Sequence, residues 1–329
     1  MKTNFKTIGL LLFAITTLVS CDNSDGDNTN DSILPPTSAA FKGITEKGIK
    51  RNTQNFTVTA GNGVVSFTSA KGVKVNINGD CLTKNGTPVT GAVNIEYIEL
   101  FDKGNMLITN KPTMGITADG KKNLLISGGE FFIKATQGGV ELQTSCYMNM
   151  LVPATLTDGV DNAMTLWTGA INEAGELAWR EAKAGADGGN GKGGVQGEGN
   201  NYYVTFGNFG WTNVDRFYSD PRPKTTILVD VPEGFDNNNS AVYLSYDGEG
   251  TNALAKLDTY TAAGLFSEHY GQIPIGLACH VIFATEDNGQ WRYAIKGVTV
   301  AAGDIYTFTL AETTVGTEAQ LIAAVNAIQ

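Results

Sequence analysis

Short runs in which every second residue is apolar, separated by glycine-bearing turn dipeptides, constrain this chain more than any other feature. Phe56, Val58 and Ala60 share one parity, as do Val73, Val75 and Ile77, and Val93, Ile95 and Tyr97. Period two puts one apolar face on a strand and leaves the other to water. Between the runs stand Asn62-Gly63, Asn78-Gly79, Asn85-Gly86, Asp119-Gly120 and Gly138-Gly139. Such pairs reach positive φ cheaply and fold a chain back on itself. Forty glycines in 329 residues, with 17% charged side chains, fit the same picture. The expected fold is all-β, a set of tandem β-sandwich domains followed by one short C-terminal helix.

The punctuation divides the chain into blocks, and its length calls for two or three domains. Residues 42–153 form the expected first sandwich. Residues 154–223 form a middle β unit, with a hairpin about Asn172–Gly175 and a glycine-rich loop over 184–200. Residues 224–312 resemble an immunoglobulin- or transthyretin-type sandwich: Ile227, Val229 and Val231 alternate, then Val242, Leu244 and Tyr246, then Cys279, Val281 and Phe283. Residues 313–329 carry the helix. Thr317 caps it, Gln320 completes a capping box, and Leu321, Ile322, Val325 and Ile328 form a stripe expected to dock on the third sandwich.

The N-terminus carries its own signal. Lys2 and Lys6 precede an apolar stretch from Ile8 to Leu18, which ends in Val19-Ser20-Cys21. The stretch is shorter than the ~20 residues that span a bilayer. Its order resembles the lipobox of bacterial lipoproteins, which implies removal of residues 1–20 and a diacylglyceryl group on the Cys21 thiol. Residues 21–41 are then a lipidated tether, since Asp22 to Ser32 holds no apolar side chain able to drive folding. Its acidic character resembles the surface-export signal of Bacteroidetes lipoproteins and implies an outer-membrane protein facing the cell exterior; the periplasmic face is the alternative. Asp31-Ser32-Ile33 resembles the short O-glycosylation site of that phylum.

A second resemblance covers Val64 to Leu107. Lys84-Asn85-Gly86-Thr87-Pro88-Val89-Thr90-Gly91, followed by Val93-Asn94-Ile95-Glu96, is similar to the β-sandwich module of ankyrins and netrin receptors. Asn78-Gly79-Asp80-Cys81 stands where those modules have a Pro-x-Asn-Ala-Phe-like segment. The His-Phe-Ser triplet at which some relatives cleave themselves does not occur, so no self-processing is expected.

Chemistry is sparse. Losing residues 1–20 removes two lysines and no acid, which takes the net charge from −10 to −12; an acidic exterior repels phosphate backbones, so nucleic acid is not an expected partner. Beyond Cys21 the cysteines are Cys81, Cys146 and Cys279. A Cys81–Cys146 bridge and free thiols are both open, and Cys279 reads as a buried strand residue. Gly185 to Gly194 lacks the GxxxxGK[ST] phosphate-loop pattern. Only His269 and His280 could act as imidazole bases, and both read as structural. The pairs Glu96/Glu99 and Asp158/Asp161 read as solvated faces rather than glycosidase or calcium carboxylates.

The densest aromatic and charged stretch is Phe209 to Tyr218. Trp211, Asp215, Arg216 and Tyr218 are its candidate ligand-binding residues, with Trp291, Tyr243 and Tyr246 as further rings, since sugars stack on exposed aromatics; inward packing is the competing expectation and the favoured one. No cofactor, metal or enzymatic role is expected. The expected function is a structural, adhesive or accessory module that holds protein or glycan at the cell surface. The alternative is a dedicated carbohydrate-binding protein, with a hydrolase third.

Overall fold

The alternating segments build two sheets that face one another across a shared core. In the computed structural model, which describes residues 34–172, 175–182, 193–250, 252–268 and 271–329, the larger sheet has seven strands in its main path. Their order is Thr53–Ala60, Gly91–Leu100, Lys122–Gln137, Gly210–Phe217, Thr165–Ile171, Leu177–Glu181 and Met114–Ile116. Met114–Ile116 also pairs antiparallel with Lys122–Gln137, so this end curls back onto the longest strand. The facing sheet runs Gly194–Glu198, Asn201–Phe206, Met148–Pro153, Lys74–Asn78, Val64–Thr68. Val58, Ile77, Val93, Ile95, Met150 and Val204 are buried in the core they share, which is what one apolar face per strand requires.

Both sheets mix residues from the first two expected blocks, so 153–154 is not a domain boundary. Met150 pairs with Val204, and Phe132 pairs with Trp211. Without the later strands, Met148–Pro153 and Lys122–Gln137 would each present an unpaired ladder. The expected hairpin does form, with Ala170 opposite Ala178.

The C-terminal segment supplies a sheet of Ala255–Lys256, Ser240–Tyr246, Ala278–Asp287, Gln290–Thr299 and Thr314–Gly316, and a second of Thr259–Tyr260, Phe266–Ser267, Leu228–Asp230 and Ile305–Thr307. Val242, Val281 and Phe283 share a core cluster with Val229, Phe266 and Phe308.

Three α-helices stand among the described residues where one was expected. The first, α1, spans Ser38–Asn52 and is capped by the Thr37 hydroxyl, which accepts from Ala40 N at 3.1 Å. It therefore starts inside the stretch read as tether. Phe41, Ile44 and Gly48 are its buried positions, and a Cβ at Gly48 would lie 2.6 Å from Ile108, so only glycine permits this approach. The second, α2, spans Lys103–Ile108 and is capped by Asp102. The third, α3, spans Glu318–Asn326 and has the expected Thr317/Gln320 capping box. It docks on α2 as well as on Gln290–Thr299: Asn326 Oδ1 accepts from Gly104 N at 2.8 Å, and Asn326 Nδ2 donates to Asp102 at 2.9 Å. The helices belong to a second core cluster, in which Ile98, Trp167 and Trp179 of the larger sheet join Tyr243, Ile282 and Trp291 of the C-terminal one.

Cys81 and Cys146 form a disulfide with their Cα atoms 5.7 Å apart. Asn85 and Gly86 both take positive φ, while Asn78-Gly79 leads instead into a 3₁₀ turn over Gly79–Cys81. Cys279 is buried and free, and burial pushes its thiol up to about 12. The bridge spans 65 residues of sequence, and a loop of that size adds about 4 kcal/mol by restricting the unfolded chain. Cys81→Ser/Cys146→Ser should lower the urea unfolding free energy by about that amount; a loss below about 1 kcal/mol would contradict the chain-entropy account.

Candidate functional site

The stretch singled out by sequence, Phe209 to Tyr218, lies mostly in the strand Gly210–Phe217, an interior strand of the larger sheet. Its alternation sends side chains to two covered faces. Trp211 is 8% exposed. Its ring packs on Phe132 at 5.2 Å and edge-on to Trp179 at 6.2 Å, with Lys111 Nζ 5.7 Å from its centre. Asp215 is fully buried: Oδ2 accepts from Asn213 Nδ2 at 2.5 Å, and its backbone carbonyl accepts from the Trp167 indole at 2.9 Å. Arg216 points elsewhere and donates from Nε to Asp161 Oδ2 at 2.5 Å. Tyr218 donates to Asp220 at 2.9 Å, and its ring meets Tyr246 edge-on at 5.2 Å. Tyr243, Tyr246 and Trp291 are buried as well. The fold does not assemble these residues into a stacking platform. Trp211 and Asp215 are interior residues, and Arg216 and Tyr218 are partly buried in separate ion-pair and aromatic contacts.

A buried acid that sequence reading missed lies beside them. Glu130 sits opposite Asn213, as Ser127 sits opposite Asp215. Among the described residues, neither Glu130 oxygen has a hydrogen-bond partner, nor does Asp215 Oδ1. Burial, and then the charge of Asp215, push Glu130 well above the ordinary carboxylate range, and burial does the same to Asp215. Burial also pushes the Lys111 amine down. Local pattern does not mark Glu130, which stands between Gly128-Gly129 and the apolar run Phe131–Ile133.

Other candidate chemistry resolves into structural pairs. His280 Nδ1 and Asp247 Oδ1 are 2.7 Å apart, and Ser245 is the cross-strand partner of His280. Ser245 Oγ accepts from Lys103 Nζ at 2.9 Å and is almost fully buried, so it is closed to an incoming carbonyl. Glu99 is buried and accepts from Ser69, Gln54 and Lys71 N, whereas Glu96 pairs at 3.8 Å with Lys134; this pair is split rather than solvated together. His269 and Cys21 lie outside the described residues. Among the described residues, no three His, Cys, Asp or Glu side chains are placed to hold a metal.

Among the described residues, the exposed aromatic side chain lies elsewhere. Tyr203 is 47% exposed on the outer face of the five-stranded sheet. Register aligns two rows across that face: Gln196, Tyr203, Leu151, Lys74 and Thr68; then Gly194, Thr205, Asn149, Asn76 and Ser66. Thr205 donates to Asn149 at 3.0 Å. Lys74 is the one charged side chain of the two rows, in a chain of net charge −10. The signal was present as period two in Asn201–Thr205, but Tyr202 and Tyr203 read alike until the register assigned one to each face.

No protein-family profile matches the chain, and no curated protein matches it.

Trp211→Ala should cost about 3–5 kcal/mol in urea unfolding, the value for emptying an interior aromatic site; a loss under about 1 kcal/mol would mean the ring is not packed. Glu130 and Asp215 have raised native pKa values, so the folded state holds protons that the unfolded chain releases. Stability must then fall as pH rises above the ordinary carboxylate range. Glu130→Gln should flatten that decline between pH 5 and 8 in unfolding titrations. An unchanged slope would mean that Glu130 stays ionised in the fold.

Proposed function

We propose that this chain is a lipid-anchored, non-catalytic binding module displayed at the outer membrane, meeting a surface glycan or protein through the sheet face around Tyr203. One observation carries the ligand side: among the described residues the exposed aromatic, Tyr203, lies on a sheet face of amides and hydroxyls beside Leu151 and Lys74, whereas the aromatics flagged by sequence are core or paired. A ring flanked by hydrogen-bonding groups suits polyhydroxylated or polar partners. The anchor side rests on Cys21 behind its apolar stretch, with acyl chains contributing about 0.8 kcal/mol per buried CH₂. Among the described residues no helix is long and apolar enough to cross a membrane. The acidic residues after Cys21 favour the outer leaflet, and the periplasmic face is the second location.

The test pairs labelled-palmitate incorporation and protease shaving of intact cells with glycan-array binding of the purified chain. Palmitate label lost in Cys21→Ala, shaving sensitivity, and array retention that falls at least tenfold in Tyr203→Ala are the expected results. Label without array retention would leave an adhesive or structural surface protein; no label in the parent chain would refute the anchor.

A further inference from the structure

The outer face of the five-stranded sheet carries polar groups at a regular interval. Register sets Thr205, Asn149, Asn76 and Ser66 side by side on four successive strands. Each offers an amide or a hydroxyl, and with strands ~4.8 Å apart the four span about 14 Å. Thr205 donates to Asn149 Oδ1 at 3.0 Å, which leaves the Asn149 amide hydrogens to other acceptors. Asn149 and Ser66 are exposed, and Thr205 and Asn76 are half-buried. Tyr203 stands two residues before Thr205 on the same strand. Diagonal to its ring is Gly194, opposite Thr205, where a Cβ would meet nothing within 4 Å.

The chemistry of this face selects among partners. Its two rows hold one charge, Lys74, in a chain with 33 acidic and 23 basic residues. Glu198 stands one row further on, opposite Asn201. An anionic partner would gain one cation and meet one acid, with no net attraction. Tyr203 and Leu151 are the only apolar side chains of the two rows, whereas the core of a protein interface is about 65% apolar. An apolar surface laid here would strand amides and hydroxyls without partners. Hydroxyls laid here replace the displaced water in kind. An extended pyranose chain repeats at close to the strand spacing of ~4.8 Å, so successive sugars meet successive strands in step.

Resting on the surface role proposed above, we infer that this face binds a neutral, linear glycan of about four sugars laid across the strands, one sugar to a strand. The chain lies between the two rows. The first sugar stacks on the Tyr203 ring and meets Thr205. The next two reach Asn149 and Asn76, and the last reaches Ser66. The ring fixes one end, and the amides read the hydroxyls that follow.

The experiment is affinity electrophoresis of the purified full chain in gels cast with a neutral linear polysaccharide (β-glucan, mannan or xylan) or an anionic one (polygalacturonate or alginate). Oligomers of two to six sugars then compete. At least one neutral gel should retard the chain regardless of salt, with competition rising through four sugars and levelling beyond. Tyr203→Ala should weaken retardation at least tenfold, and Asn76→Ala, two strands away, about fivefold. Retardation that Tyr203→Ala removes but Asn76→Ala and oligomer length leave unchanged would overturn the extended chain while the Tyr203 reading stands. Retardation confined to the anionic gels, or lost in Lys74→Ala and in high salt, would overturn the neutral class. No retardation in any gel would rule out the glycan and return the face to a protein partner. Retardation kept in Tyr203→Ala would refute both this assignment and the surface reading beneath it. Thermal unfolding of each variant separates loss of the ligand from loss of the fold.

Discussion

The Lys103 ammonium is the tie on which the arrangement of the sheets depends. It is fully buried, and it donates to Ser245 Oγ at 2.9 Å, the Gly250 carbonyl at 3.1 Å and the Ile328 carbonyl at 2.7 Å. Those acceptors come from the C-terminal sheet, from the loop after it and from the end of the chain, while Lys103 opens α2. Three acceptors match its three donors. Burial still lowers its pKa, with the charge of Asp247 acting in the other direction. A buried charge so paired stabilises little by itself but is costly to strand, so it fixes which surfaces meet.

Around that tie the helices fill the seam between the larger sheet and the C-terminal sheet. A sheet covered on both faces has no room for solvated polar residues, and this is why Trp211, Asp215 and Glu130 share an interior. The outer face around Tyr203 is uncovered, so its polar residues stay hydrated and accessible. Placement relative to the seam, rather than residue type, separates packing from surface chemistry in this chain.

Much of the fold was legible in local pattern. Val75 and Ile77 alternate because one face of their strand is core, and Asn85-Gly86 turns because both residues accept positive φ. Thr317 and Gln320 cap α3 through bonds confined to four consecutive residues. What escaped was longer in range. Helix α1 was missed, its first turn lying in the stretch read as tether and the rest in the expected first sandwich, because its apolar positions are few and Phe41 and Ile44 find their partners in other elements. The block boundary after Pro153 failed because no local signal says that Met150 will pair with Val204. Tyr203 was overlooked beside Tyr202 for the same reason.

The sequence by itself determined the predominance of strands, several turn positions, the cap of α3 and the buried character of Cys279, since each depends on neighbours within a few bonds or on side-chain polarity. It also carries the Cys21 pattern, which is a matter of order along the chain. Only the tertiary structure decided the strand order, the closure of the Cys81–Cys146 bridge, the burial of Trp211 and Asp215, and the exposure of Tyr203. Those depend on which strand lies beside which and what covers each face, and period two is silent on both: it states that a strand has an inside without naming what will be found there.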